Sequence, residues 1–294
     1  MSTIDASCRH GLTDAQWELL HHVLPEPSGR GRPRKWPLRG LIDGIRYRVR
    51  VGCPWRDVPA RYGPWQRVYA LFASWQTQGV WEHIETALTG LAQARGKVKW
   101  QVSVDSTTSR GHIHAAGARH DSAHLVPAEP ADHGFGRSRG GWSTKTHLVT
   151  DQDRGVLAFC HTPGQAGDSP ELVTVLEKIR VPNPAGAPRR RPDRVLADRA
   201  YSSRANRLWL RAHHIKATIP TPADQAAHRR RRGSKSGRPP AFDTTVYKDR
   251  NAVECGINKL KHNRGFATRY DKLAVRFTAT THITIINDWL KRLS

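Results

Sequence analysis

The sequence predicts an α/β protein in which a small all-helical region, residues 1–98, precedes a larger region, residues 99–294, built on a mixed sheet. Up to about residue 98, apolar side chains recur every three or four positions, which is typical of helices. From residue 99, short segments alternate apolar and polar residues as strands do, and helical segments separate several of them. A chain of 294 residues can hold one large domain and a smaller one.

Four helices are predicted in the first region, over residues 14–24, 38–51, 64–78 and 80–92. Thr13 is a typical N-cap for the first helix, and Pro64 suits the first position of the third, where a missing N–H costs nothing. The segment GRGRPRK (29–35) is too polar and too rich in Gly and Pro to fold alone, so we expect a flexible basic arm. Short helices with basic loops are typical of a helix-turn-helix-like DNA-binding domain.

Five strands are predicted in the second region, over residues 100–105, 144–150, 156–161, 194–197 and 215–219, with helices over 170–180, 203–213 and 244–263. Residues 106–141 and the basic segment 226–240 are predicted to be loops, and Gly265 is expected to stop the last helix. The order β-β-β-α-β-α-β-α predicts a mixed five-stranded sheet of the ribonuclease-H-like kind, not a doubly wound nucleotide-binding fold.

The charge of the chain indicates its partner. Lys and Arg number 48 against 25 Asp and Glu, a formal net charge of +23, which suits a polyanion and nucleic acid above all. The sequence has neither an apolar membrane span nor the pattern of a signal peptide. Its four cysteines are far apart and form no CxxC pair, which indicates reduced thiols rather than a disulfide frame or zinc ribbon.

Two aspartates are candidates for one shared site. Asp105 is predicted to end the first strand and Asp198 to follow the fourth, and these strands are neighbours in a ribonuclease-H-like sheet. Adjacent carboxylates repel each other, and a bound cation removes that penalty. Carboxylate oxygens suit Mg²⁺, and two such ions can stabilise both the attacking and the leaving oxygen of a phosphodiester. For a single Asp an N-cap or turn role is the simpler interpretation, but the pair favours a site.

The predicted helix over 244–263 carries a third carboxylate between cations. Tyr247, Glu254 and Lys261 are seven residues apart and fall nearly on one line, and Arg250 lies one turn before Glu254. An ordinary solvated face with i,i+4 ion pairs has the same spacing, so spacing alone leaves both interpretations open.

The spacing Tyr247-x2-Arg250-x3-Glu254-x6-Lys261 matches the YREK signature of bacterial insertion-sequence transposases. On these residues the chain resembles the insertion-sequence-five family, within the insertion-sequence-four/five superfamily, whose members carry a DDE triad. The resemblance covers nearly the whole chain and includes WRDVPARYGPWQRVYALFASW (55–75), VDSTTSRGH (104–112), GRSRGGWSTKTHLVTD (136–151), TPGQAGDSPE (162–171), LADRAYSS (196–203) and TRYDKLA (268–274).

The resemblance implies a ribonuclease-H-like core in which Asp105, Asp198 and Glu254 are the catalytic metal ligands. The implied cofactor is Mg²⁺, two ions per site, with Mn²⁺ able to substitute. Implied partners are double-stranded DNA, as element ends and as target, and a second copy of the chain in a homodimer or higher oligomer, in the bacterial cytoplasm with the nucleoid. The residues expected to contact DNA are Tyr247, Arg250, Lys261, Arg137, Arg139, Lys145, Arg229, Arg230, Arg231 and Arg232.

The sequence is also compatible with two other functions. A catalytically inactive DNA-binding remnant or repressor would bind element ends without cutting them, and a simple nuclease would cut without joining. Among rival acidic residues, Asp151 and Asp153 are predicted to flank or form a hairpin turn, and Asp168 to cap the helix that follows it. The irregular spacing of the histidines between 112 and 133 does not indicate a zinc site.

Overall fold

The computed structural model describes residues 10–25, 35–117, 126–138 and 140–294. Arg139 and the predicted basic arm up to residue 34 lie outside these residues. The fold begins with the helices α1 (Asp14–His21), α2 (Leu38–Val51), α3 (Trp65–Thr77) and α4 (Val80–Ala94). Thr13 and Gln16 form a capping box at the start of α1. Gly52, with φ of 74°, ends α2 in the left-handed conformation that glycine adopts most easily. The helices predicted here are therefore present.

The strands are β1 (Gln101–Gly111), β2 (Gly136–Ser138), β3 (Gly141–Asp151), β4 (Val156–Pro163), β5 (Val181–Asn183), β6 (Gly186–Arg189), β7 (Arg194–Ala197), β8 (Lys216–Thr218) and β9 (Thr268–Arg269). The main sheet has the order β4-β3-β1-β7-β8. β3 is antiparallel to β1 and β4, whereas β7 and β8 are parallel to β1. This arrangement is ribonuclease-H-like and confirms the predicted fold class. β2 and β9 add short pairings to the sheet, and β5 and β6 form a separate hairpin.

β1 is longer than the sequence predicts. It continues past Asp105 to Gly111, and β3 pairs with it as far as Arg110, opposite Ser143. The expectations that Asp105 ends the strand and that the loop begins at residue 106 are therefore wrong. The segment STTSR lacks apolar residues, so the alternation disappears from the sequence. Its Thr107 and Ser109 are nevertheless buried, and β-branched threonine suits a sheet.

The remaining helices are α5 (Ile113–Ala116), α6 (Glu171–Glu177), α7 (Arg204–Ala212), α8 (Ala223–Arg232), α9 (Thr244–Tyr247), α10 (Asn251–Lys261), α11 (Arg264–Ala267) and α12 (Ala274–Leu293). A 3₁₀ turn, Lys248–Arg250, joins α9 to α10, so the predicted helix over 244–263 is present but not uniform.

One loop prediction and one helix-end prediction are wrong. Most of the first half of segment 226–240 is helical, because α8 starts with Ala223 and Asp224, and an acidic residue in the first turn stabilises a helix. Gly265 does not stop α10 but lies inside α11. Its lack of a side chain allows close approach to α2, since an added Cβ would lie 3.0 Å from the carbonyl oxygen of Val49.

The last helix, α12, joins the helical region to the sheet. Arg46 Nε in α2 donates to Asn287 Oδ1 at 2.6 Å, and His282 Nδ1 lies 2.6 Å from Glu85 Oε2 in α4. On its other side Trp289 is fully buried and donates from Nε1 to the carbonyl of Val156 in β4 at 3.1 Å. One continuous apolar core therefore includes residues of both regions. Of the helices that the structure describes, none has the length and apolar composition that a membrane span requires.

Candidate active site

Asp105 and Asp198 occupy neighbouring positions on two parallel strands. The last pair in the ladder between β1 and β7 is Val104 with Ala197, and the next residue along the chain is an aspartate in both cases, Asp105 within β1 and Asp198 directly after β7. A backbone N–H holds one oxygen of each carboxylate: Ser106 donates to Asp105 Oδ1 at 2.8 Å, and Ala200 donates to Asp198 Oδ1 at 2.8 Å. Asp198 is thus also the cap of a short 3₁₀ turn, so its capping role and a place in the site are compatible.

Glu254 is connected to Asp105 through Arg250. Helix α10 packs on the sheet face to which Asp105 points, because residues 103 and 105 share a face and Ser103 Oγ donates to the carbonyl of Asp249 at 3.4 Å. Arg250 Nη1 donates to Asp105 Oδ2 at 3.1 Å, while its Nη2 donates to Glu254 Oε1. One guanidinium therefore joins a carboxylate of the strand to a carboxylate of the helix.

The electrostatics tie all three carboxylates to one site. Burial raises the pKa of Asp105 above its ordinary value, and the charges of Asp198 and Glu254 raise it further. The Ser106 N–H and the Arg250 guanidinium oppose this shift without cancelling it. For Arg250, burial works toward a lower pKa, but Glu254, Tyr247 and Asp105 outweigh it and raise the pKa. A positive charge next to Asp105 therefore stabilises its ionised form.

The donor set suits a hard divalent cation. Asp105, Asp198 and Glu254 offer carboxylate oxygens, which Mg²⁺ and Mn²⁺ prefer. Among the residues that the structure describes, no group of three or more His, Cys, Asp or Glu side chains is arranged as a metal site. The positive charge next to Asp105 and Glu254 is that of Arg250. The three carboxylates therefore fit a divalent metal by the chemistry of their oxygens, whereas the structure does not bring them together as a metal site and places the Arg250 guanidinium between two of them.

The structure places Tyr247 beside the triad and Lys261 farther away. The Tyr247 ring lies 5.2 Å from that of Phe242, measured between centroids, and Arg250 Cζ lies 5.9 Å from the Tyr247 centroid. Lys261 is the last residue of α10, seven residues beyond Glu254 and hence about 10 Å along the helix axis. Tyr247 and Arg250 thus belong to the same cluster as the carboxylates, whereas Lys261 extends it by two turns.

The other predicted DNA contacts are spread over the surface. Arg230, Arg231 and Arg232 are exposed at the end of α8, while Arg229 donates from Nη2 to the carbonyl of Gly237 at 2.8 Å. Arg137 is exposed on β2, and Arg139 lies outside the described residues. Lys145 is mostly buried, and its Nζ donates to the carbonyl of Ala166 at 2.6 Å.

The position of Asp168 differs from the one that the sequence predicts. It was expected to cap the following helix, but α6 begins after Pro170 with no side-chain cap. Its carboxylate instead accepts from Ser106 Oγ at 2.7 Å and lies 3.0 Å from Lys145 Nζ. Ser106 follows Asp105 on β1 and points to the opposite face of the sheet. Asp168 therefore contacts β1 on the face opposite to the one to which Asp105 points. The sequence signal for this position of Asp168 is the spacing of Lys145 and His147 in β3, because it places two basic side chains on one face of the sheet.

The solved structures to which the chain is similar superpose on it only with low TM-scores. The Mos1 transposase paired-end complex with left transposon end matches over 91% of this chain and 80% of its own, at 12% identity and a TM-score of 0.24. The Mos1 strand transfer complex matches at 12% identity and a TM-score of 0.25, over 91% and 79% of the two chains. At such TM-scores neither complex informs the geometry of this site.

Sequence relatives match part of the chain. An "Uncharacterized protein y4sN" of Sinorhizobium fredii is 32% identical over 117 residues, which is 40% of this chain and 90% of the relative. A "Putative transposase for insertion sequence element IS6501" of Brucella ovis is 29% identical over 149 residues, which is 51% of this chain and 99% of the relative. Both relatives are therefore matched over most of their own length.

Two family models together account for most of the chain. Residues 12–85 match the family described as "Putative transposase of IS4/5 family", and residues 96–287 match the family described as "Transposase DDE domain". The second match includes Asp105, Asp198 and Glu254 and by itself spans more than half of the chain. The chain therefore belongs to the DDE transposases, within the IS4/5 group of insertion-sequence transposases.

Proposed function

We propose that this transposase binds the terminal inverted repeats of its insertion sequence and catalyses strand cleavage and strand transfer with Asp105, Asp198 and Glu254. The observation that carries the proposal is the adjacency of Asp105 in β1 and Asp198 directly after β7, with Glu254 linked to Asp105 through Arg250. Three carboxylates from two strands and a helix rest on rigid elements, as a phosphoryl-transfer site requires.

Asp105, Asp198 and Glu254 would hold divalent metal, Mg²⁺ in the cell, with two ions per site and Mn²⁺ able to substitute. Bound ions would lower the pKa of the attacking water and stabilise the charge on the leaving oxygen. The backbone N–H groups of Ser106 and Ala200 fix one oxygen of each aspartate. The carboxylates are thereby pre-oriented before DNA arrives.

The reaction proceeds in two displacement steps at phosphorus, first a hydrolysis and then a transesterification, without a covalent enzyme intermediate. In the first, water attacks the phosphorus at an element end, the P–O3′ bond breaks, and the leaving oxygen takes up a proton as a free 3′-hydroxyl. In the second, that hydroxyl loses its proton and attacks a target phosphodiester, whose 3′ oxygen leaves. Tyr247, Arg250 and Lys261 orient the element end through its backbone phosphates.

Residues 1–98 form the DNA-binding domain in this proposal, and the exposed arginines of α8 contact the backbone of the same duplex. Chemistry on two element ends requires at least two active sites, so the working form is a homodimer or a higher oligomer on DNA. The protein acts in the cytoplasm, on the nucleoid.

The test is cleavage of duplexes that carry the ends of the element, with Mg²⁺ or Mn²⁺, by the wild type and by Asp105→Asn and Glu254→Gln. Both variants should lose more than about a hundredfold in rate, because replacing even an indirect supporter of a metal site costs up to that factor. Asp249→Asn is the matched control, since this carboxylate precedes Arg250 but accepts from Gln101 Nε2 at 2.9 Å. It should cut at the wild-type rate.

The products separate the alternatives. Strand-transfer products joined to a target plasmid support a transposase, whereas cleavage without joining indicates a nuclease. Binding of element ends without metal-dependent cleavage by the wild type would indicate an inactive remnant or repressor. Undiminished cutting by Asp105→Asn or Glu254→Gln would overturn the assignment of the triad.

A further inference from the structure

Arg250 holds two of the three carboxylates on which the proposed chemistry depends. Its guanidinium donates to Asp105 Oδ2 at 3.1 Å and, through its other terminal nitrogen, to Glu254 Oε1. Asp105 belongs to a strand and Glu254 to a helix, so this single side chain fixes their separation. Both hydrogen bonds are charge-assisted, which makes them about twice as strong as neutral ones.

We infer that Arg250 is a built-in cation that keeps metal off the carboxylates until a DNA phosphate draws it away, so that metal loading is coupled to DNA binding. This inference rests on the proposed function, because it takes the three carboxylates as the metal ligands. It assigns Arg250 two alternative partners, the carboxylates in the free protein and a backbone phosphate in the complex.

The competition follows from charge and from the number of acceptors. A divalent ion and the guanidinium need the same carboxylate oxygens, and each repels the other. Arginine keeps its proton at every pH at which a protein is folded, so only movement of the side chain can remove its charge. Metal binding in the free protein therefore includes the cost of breaking both Arg250 contacts.

DNA supplies the acceptor that can replace those contacts. The Glu254 side chain is 50% exposed and that of Arg250 is 19% exposed, so the pair lies at the edge of the surface, where a duplex can approach it. A phosphate accepts two parallel hydrogen bonds from a guanidinium, which matches the donors that Arg250 would withdraw. Because coupling is reciprocal, metal should also tighten DNA binding by the same factor.

The first experiment measures Mn²⁺ affinity without DNA, by calorimetry or by the electron paramagnetic resonance of free Mn²⁺, on the full chain. Arg250→Gln should bind Mn²⁺ at least about tenfold more tightly than the wild type, the factor that corresponds to one charge-assisted hydrogen bond. Lys248→Gln is the matched control, because it removes the same charge from an exposed site two residues away. It should change the affinity by less than about twofold.

The second experiment adds a short duplex of arbitrary sequence at low salt. The duplex should raise the Mn²⁺ affinity of the wild type toward that of Arg250→Gln, and should leave Arg250→Gln unchanged. Mn²⁺ that binds to the duplex itself is measured with Asp105→Asn under the same conditions and subtracted.

The outcomes separate this inference from the proposed function. If Asp105→Asn binds Mn²⁺ as well as the wild type does, the metal site and the proposed function both fail. If Asp105→Asn weakens binding but Arg250→Gln gains no more than Lys248→Gln, the carboxylates hold metal and the role of Arg250 is overturned. Should Arg250→Gln unfold, as melting would reveal, Arg250→Lys decides: one lost contact should give a smaller gain, and no gain refutes the inference.

Discussion

Arg269 lies against Phe135, with 3.7 Å between the guanidinium Cζ and the centroid of the ring. The arginine is fully buried and donates from Nη1 to Thr144 Oγ1 at 2.6 Å. Its remaining donors reach main-chain carbonyls of His133, Gly134, Asp271 and Lys272. One side chain therefore connects the segment before β2, the strand β3 and the approach to α12.

Arg269→Met should lower the free energy of unfolding by about 3–5 kcal/mol, because it leaves several buried acceptors without a donor. Urea denaturation followed by far-ultraviolet circular dichroism measures the change. Arg190→Met removes the same group from an exposed position and should alter stability by less than about 0.5 kcal/mol. Equal stabilities for the two variants would show that the Arg269 contacts contribute little.

His147 predicts how stability depends on pH. Burial lowers the pKa of His147 from 6.5 to about 4, with Asp168 opposing and Lys145 assisting the shift. The folded state thus stays neutral while the unfolded state takes up a proton, so stability falls as pH decreases from about 6.5 to about 4. His147→Gln should remove about 2–3 kcal/mol of this loss.

The measurement compares the free energy of unfolding at pH 7 and at pH 4.5 for the wild type and His147→Gln. Nε2 of His147 lies 2.9 Å from Thr162 Oγ1, and a glutamine can keep a polar contact there. We expect a change of the pH profile in the same direction for His161→Gln, because burial holds the pKa of His161 far below its ordinary value. Identical pH profiles for His147→Gln and the wild type would refute the prediction.

The arginines at the end of α8 predict a salt effect. Changing Arg230, Arg231 and Arg232 to Ala should weaken binding to any duplex and reduce the slope of log K against log salt by about 2.7, if each contacts one phosphate. Fluorescence anisotropy at several salt concentrations gives the slope. A control that removes three exposed arginines elsewhere, Arg190, Arg191 and Arg211, tests total charge. Equal slopes for the two variants would place the contacts elsewhere.

The sequence predicted the fold where side chains alternate clearly or where a helix has a distinct apolar stripe. α2 and β7 have the predicted bounds, because α2 has apolar residues at helical spacing and β7 is a short, continuous apolar run that ends at a charged residue. α12 was not predicted, although it contributes much of the core. Threonines such as Thr280, Thr281 and Thr284 are buried in it and bond to carbonyls of the preceding turn or to Asp271, so the apolar stripe is hidden.

The site was predictable in part. The sequence placed Asp105 and Asp198 on neighbouring strands and put Arg250 one turn before Glu254, and the structure has both arrangements. It could not predict that Arg250 would reach Asp105, because that contact depends on how α10 lies across the sheet. The position of Asp168 was unpredictable for the same reason, since its partners Ser106 and Lys145 lie in strands that are far from it in the sequence.

The way α12 is placed also bears on how the protein is made. Its side chains pack with those of α2 and α4, which lie more than 170 residues earlier in the chain. During synthesis α2 and α4 are therefore made long before the helix against which they pack. A ribosome adds about 5–20 residues per second, and the delay is therefore on the order of ten seconds or more. Apolar side chains of α2 and α4 that pack in this core therefore stay uncovered during that time, and transiently exposed apolar surface favours aggregation.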